Sequence, residues 1–199
     1  MVAGEFAIFR NQLDDYVFPS SRGLADFGAE GGRPRFQYTN EDAVFKGAEG
    51  DIEISVSRRL VFSATASYVR AEFTSMRDAI PVFSETDTTF VPASKFPPLI
   101  PPLNGQVGLR YERRRYFAAA DVRWAARQDR VGDFEEPTAG YAVANTSVGV
   151  RIDNNGRFHT ITLRVDNALD TEYRNHLSRV KEFMPEPGRN LSLLYRVTF

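Results

Sequence analysis

Asn190-Leu191-Ser192-Leu193-Leu194-Tyr195-Arg196-Val197-Thr198-Phe199 is the stretch whose period decides the fold class. Leu191, Leu193, Tyr195, Val197 and Phe199 fall on one face, and Asn190, Ser192, Leu194, Arg196 and Thr198 on the other. A period of two marks a strand whose faces meet different surroundings, not a helix.

The same alternation recurs upstream. Ile161, Leu163 and Val165 oppose Thr160, Thr162, Arg164 and Asp166, and Val148, Val150 and Ile152 oppose Ser147, Gly149 and Arg151. Residues 116–130 set Tyr116, Ala118, Ala120, Val122 and Trp124 against Asp121, Arg123, Arg127 and Asp129. Residues 104–112 and 60–70 repeat the pattern, 43–57 more weakly, and 3–17 least regularly. The pattern predicts eight strands and no helix.

The connections alternate in length. Residues 57–59, 113–115 and 153–156 are short; 18–35, 74–103, 131–140 and 169–187 are long. If each strand is antiparallel to the next, all short turns share one end and all long loops the other. That is the layout of an outer-membrane barrel, with short periplasmic turns and long extracellular loops. Strands of about nine to eleven residues suit a bilayer, whereas soluble ones are typically about five or six. Mid-strand Arg, Asp and Glu suit a wet lumen, since charge in a dry core is costly. A soluble sandwich or lipocalin-like barrel would place the apolar face inward. Strand length, loop asymmetry and the aromatic C-terminal strand favour the membrane wall.

Composition narrows function. The 199 residues hold 13% aromatics, including 16 Phe and 8 Tyr, beside 26% charged residues. One small core cannot use both, but two unlike surfaces can. A net charge of -1 gives no basic field for nucleic acid. Absent Cys excludes a disulfide scaffold and thiol catalysis. No apolar run is long enough for a transmembrane helix. No leader-like segment follows Met1. With two His and no nucleophile–base pattern, neither an enzyme nor a cofactor is expected.

Three motifs in fixed order resemble the C-terminal barrel of TonB-dependent outer-membrane receptors. They are Asp166-Asn167-Ala168-Leu169-Asp170-Thr171-Glu172-Tyr173, then Pro187-Gly188-Arg189-Asn190, then the strand ending at Phe199. Gln128-Asp129-Arg130-Val131, Tyr38-Thr39-Asn40, Gly47-Ala48-Glu49 and the Pro-rich Phe96-Pro97-Pro98-Leu99-Ile100-Pro101-Pro102 extend the likeness over nearly the whole chain. Ala168 is a mild departure from the family pattern.

The resemblance implies a location in the bacterial outer membrane and a barrel of about 22 strands around a plug. Residues 1–199 would then be the C-terminal barrel part, lacking plug and signal peptide. The implied function is TonB-coupled uptake of a scarce ligand, a metal chelate such as a ferric siderophore, or zinc. The alternative is a self-standing small barrel with a structural or adhesive role. The implied partners are outer-membrane lipid, the barrel-insertion machinery, the TonB complex through the missing plug, and a metal-chelate ligand.

The expected residue roles follow. Asn167, Asp170 and Tyr173 hold a turn, Gly188 admits the last strand, and Arg189 pairs with lumen carboxylates. Tyr195, Val197 and Phe199 resemble the C-terminal assembly signal. His176 is the candidate metal or ligand contact, with Glu135 and Glu136, and with Glu85 and Asp87, as carboxylates that could converge on it. Arg174 and Arg179 are candidates to draw an anionic chelate. Lone His spacing leaves the metal unknown.

Overall fold

The computed structural model describes residues 1–20, 37–83, 87–133 and 135–199. Glu85 and the glycine-rich run Gly28-Ala29-Glu30-Gly31-Gly32 lie outside the described residues. No helix occurs among the described residues. The strands are β1 (Val2–Ser20), β2 (Gln37–Ser55), β3 (Leu60–Phe73), β4 (Ile80–Phe83), β5 (Thr88–Val91), β6 (Asn104–Glu112), β7 (Tyr116–Ala125), β8 (Tyr141–Asn154), β9 (Arg157–Asp166) and β10 (Asn190–Thr198).

Eight strands form one antiparallel sheet in the order β1-β2-β3-β6-β7-β8-β9-β10. Each wall strand pairs with its neighbour along the chain. The sheet is open, with β1 and β10 at its edges. The eight strands expected from alternation are these eight. Two details differ. The 74–103 connection folds back on itself as the hairpin β4-β5. And β7 stops at Ala125, not at residue 130. The Gln128 side chain turns inward there to Ile100, and its backbone makes an isolated bridge to Thr138.

Register aligns the apolar residues into rows across the wall. Leu193 faces Leu163, which faces Val148, Ala118, Tyr111 and Leu60 in turn. Large side chains on this face are bare: Phe6 is 76% exposed, Ile8 75% and Leu193 73%. Water does not tolerate so continuous an apolar face, and lipid does. From Leu60 to Tyr68 this face runs about 26 Å along β3. At a tilt of about 40° that gives roughly 20 Å of height, close to the usual apolar band. The opposite face carries Glu5, Glu49, Asp51, Gln106, Arg123, Asn145 and Arg164, and is the polar lumen side. Asn145 Nδ2 donates to Asp121 Oδ2 there at 2.8 Å.

Turn chemistry fixes the periplasmic end. Asn155 (φ 52°) and Gly156 (φ 81°) make a primed turn that matches strand twist. Ser57 Oγ accepts from Leu60 N at 3.1 Å in the β2–β3 turn.

The irregularity of β1 is a bulge. Pairing passes from Leu13↔Ala43 to Tyr16↔Glu41, with Asp15 at φ 55° and its N–H donated to Asp42 Oδ1 at 3.0 Å. The extra residue swaps side-chain parity. Tyr16 and Phe18 thereby meet Phe45 and Phe73 in a small apolar cluster with Ala43. The ring centroids lie 5.2 Å apart for Tyr16–Phe45 and 4.6 Å for Phe18–Phe73.

Gly105 lies under Trp124, where an added Cβ would sit 2.8 Å from the indole and press on the Thr65 carbonyl. Gly105→Val is expected to destabilise the folded barrel by about 1–3 kcal/mol through overpacking. Urea titration of the receptor in bilayers, read by tryptophan fluorescence, checks this; an unchanged midpoint would show that the indole moves aside freely.

Candidate functional site

At the extracellular end the ladder stops, and side chains take over the backbone groups that it leaves. Three connections meet there: the Pro-rich run before β6, residues 126–140, and residues 169–187. Leu99 sits at φ 58° in the Pro-rich run. Its N–H donates to both oxygens of Glu135 at 3.2 Å, and Gly132 N donates to Glu135 Oε2 at 2.9 Å.

Glu135 is the centre of this cluster, its side chain only 7% exposed. Lys181 Nζ lies 2.6 Å from Glu135 Oε1 and also donates to the His176 carbonyl at 3.1 Å. His176 Nδ1 lies 2.9 Å from Thr138 Oγ1, and its Nε2 lies 3.2 Å from Glu135 Oε1. The angle of that last contact is poor, so Nε2 makes no well-formed hydrogen bond. Burial alone would raise the Glu135 carboxyl. The contacts from His176, Lys181 and the Gly132 N–H, with the Lys181 charge, outweigh burial and hold it at about 2.

The structure therefore brings His176 and Glu135 together, but as a buried tie between loops. Glu136 is exposed and outside it. Arg174 donates Nη1 to the Lys181 carbonyl, which fixes the 174–181 turn from within. Arg179 is exposed. It borders a cleft of about 310 Å³ lined also by Pro98, Leu99, Ser178, Lys181 and Glu182. No group of three His, Asp or Glu able to hold a metal occurs among the described residues.

Two residues central to this end were not singled out in the sequence. Lys181 is one. The other is Arg77, whose guanidinium lies over Phe18 at 5.1 Å and Phe73 at 4.7 Å. It pairs with Asp133 at 2.7 Å and donates to the Ser94 carbonyl at 2.9 Å. A cation among aromatic rings and a buried carboxylate needs three distant segments to converge, so no local spacing announces it.

The Asn167 turn is a clamp. Asn167 (φ 49°) is buried; its Oδ1 accepts from Thr171 N at 2.9 Å and its Nδ2 donates to the Thr171 carbonyl at 2.8 Å. Asp170 (φ 56°) accepts from Arg189 N at 2.8 Å. An added Cβ on Gly188 would stand 2.9 Å from Asp170 Oδ1. Tyr173 packs at a tilt against Tyr141, ring centroids 4.6 Å apart, and its hydroxyl accepts from Arg123 Nη2 at 2.8 Å. Arg189 uses its backbone N–H here. Its side chain makes no ion pair with a described carboxylate, because it stands exposed at the rim where β10 begins. At the periplasmic end of β10, the Tyr195 hydroxyl meets His159 Nδ1 at 2.7 Å, Val197 is half-buried, and Phe199 is 90% exposed beneath Arg157.

Residues 2–168 match the family described as "TonB dependent receptor-like, beta-barrel". The chain belongs to this family. Receptor barrels of this kind lie in the bacterial outer membrane, and the bare apolar face of this wall lies against its lipid. Among solved structures, the wall is similar to "Copper transporter OprC", with a TM-score of 0.73 at 23% identity over 96% of this chain. It is also similar to the ferric enterobactin receptor PfeA of Pseudomonas aeruginosa, with a TM-score of 0.59 at 17% identity over 99% of this chain. The chain spans 28% and 29% of those two proteins' lengths. No curated protein matches by sequence.

In the receptor, the Glu135 tie carries a definite pH signature. A carboxyl held at about 2, against 4.5 ordinarily, contributes about 3 kcal/mol to the closed loops. Because the folded value is depressed, this contribution is complete above about pH 4.5 and is lost as pH falls towards 2. Hydrogen-exchange protection of residues 174–184 is expected to hold down to about pH 4.5 and then decline. Glu135→Gln should lower that protection at neutral pH as well. A flat pH profile in both proteins would rule out the tie as the element that closes the loops.

Proposed function

We propose that the chain is the C-terminal wall and mouth of an outer-membrane receptor that takes up a metal chelate, ferric siderophores being the nearest chemical class. The carrying observation is the family match across residues 2–168, which supports receptor-type uptake as the parent activity. In this reading residues 1–199 are the C-terminal part of the barrel. The TonB complex is reached through a plug encoded elsewhere in the receptor, and the insertion machinery reads the strand ending in Tyr195, Val197 and Phe199.

The mouth favours a chelate over a bare cation. His176 lies buried against Thr138 and Glu135 and is not presented to solvent. Arg174 is committed to the Lys181 carbonyl. Arg179 remains exposed beside the cleft, with the apolar surfaces of Pro98 and Leu99. A guanidinium beside an apolar wall suits a bulky, anionic complex better than a hydrated zinc ion. Two receptors with similar walls are described as a copper transporter and a ferric enterobactin receptor, which supports a metal-linked ligand. The smaller alternative, a self-standing eight-stranded barrel, requires β1 to pair with β10, whereas both are edges of the sheet.

Iron-limited cells expressing the complete receptor are expected to accumulate radiolabelled ferric siderophore only when TonB is present. Arg179→Ala should weaken chelate binding about tenfold, the usual scale for losing one charge-assisted contact. Equal accumulation without TonB, or uptake of free zinc or copper and of no chelate, would sink the proposal.

A further inference from the structure

The outer face carries a charge arrangement that uptake does not use. Arg10 lies opposite Lys46 in the β1–β2 register, and Lys46 lies opposite Arg70 in the β2–β3 register. Directly paired residues on one face of an antiparallel sheet hold their Cβ atoms about 5 Å apart. Three cations thus stand in one transverse row. Like charges so placed repel, and a stable sheet ordinarily avoids them.

Two further cations gather at the same height. Arg130 lies over the Tyr68 ring at 5.5 Å, and Tyr68 is one pair below Arg70 on that face. Lys95 lies over Phe96 at 5.1 Å and reaches Glu72 at 3.9 Å. Glu72 is the carboxylate of this patch and is already taken by Arg70 at 2.6 Å. No described carboxylate lies within ion-pairing distance of Arg10, Lys46 or Arg130. Five cations therefore share one anion.

Position names the missing partner. Below the row, the same face continues as Ile8, Ala48 and Tyr68, then Phe6, Gly50 and Ala66, and is apolar down to Leu60. The cations mark the upper edge of that band, where acyl chains give way to headgroups. An anion held there while apolar chains run down the face beneath it is a lipid.

We propose that Arg10, Lys46, Arg70, Lys95 and Arg130 form a binding site for the phosphate-bearing headgroup of an outer-leaflet lipid, whose acyl chains lie along Ile8, Phe6 and Tyr68. The bound phosphates relieve the repulsion within the row. They also pin the β1–β3 edge of the wall at a fixed depth, whatever ligand the receptor carries.

The test uses the complete receptor, extracted from outer membranes in mild detergent and examined by native mass spectrometry. The wild type is expected to retain bisphosphorylated lipid A. The triple variant Arg10→Gln, Lys46→Gln and Arg130→Gln leaves the Arg70–Glu72 pair intact. At about fivefold per cation near an anionic surface, it should bind that lipid about a hundredfold more weakly. Heat-modifiable electrophoretic mobility reports whether the variant folds. If it does not, Lys46→Gln and Arg130→Gln singly should each cost about fivefold. Added back to delipidated receptor, enzymatically dephosphorylated lipid A should bind poorly, and inorganic phosphate should not displace the lipid. Equal retention by wild type and folded variants would overturn the proposal. Equal binding of the dephosphorylated lipid, or displacement by inorganic phosphate, would do so too.

Discussion

In hydrocarbon, a backbone N–H or C=O without a partner costs several kcal/mol, because no water can replace it. The rest of this wall follows from that constraint. The ladders from β2 through β10 run without a register break. The bulge between Leu13 and Tyr16 lies beyond the Arg10 row and so outside the apolar band. Glycine enters where a ring must lie flat on the ladder, as at Gly105 under Trp124 and at Gly149 under Phe117. A side chain at either position would move an aromatic ring or open a strand pair.

Above the band the same requirement is met by side chains. Gln128, Asn167, Asp170 and Glu135 each bond backbone groups that the sheet leaves behind. Glu135 and Arg77 at this end are charged as well as buried, and burial makes each one costly to leave alone. Glu135 is acceptable because Lys181, two backbone N–H groups and His176 surround it. Arg77 is acceptable because Asp133 neutralises it and the neighbouring rings of Phe18 and Phe73 pack against it. The mouth is thus a set of interlocked loops, and Arg179 is the candidate cation left free at its surface.

The two faces use charge differently. On the lumen side, Glu5 stands opposite Asp51, yet water can screen them. On the lipid side, Arg10, Lys46 and Arg70 stand in one row at the edge of the apolar band, and Glu72 pairs with Arg70 alone of the three. The same pairing rule therefore has different consequences on the two sides of one sheet, and only the surroundings distinguish them.

The sequence by itself determined the eight wall strands, their antiparallel succession, the ends at which short turns and long loops fall, and which residues share a face. Each follows from period-two alternation and turn chemistry, which are local. The family was legible for the same reason, since the Asn167 turn and the Pro187-Gly188-Arg189 step are short contiguous motifs. Tertiary structure alone decided the mouth. His176 reads as a candidate metal or ligand contact in its loop, and becomes a buried strut only because Thr138 and Glu135 arrive from another connection. Lys181 and Arg77 carry no sequence signal, because their partners lie far along the chain. The basic row is likewise silent in sequence: Arg10, Lys46 and Arg70 belong to three strands, and only register sets them side by side.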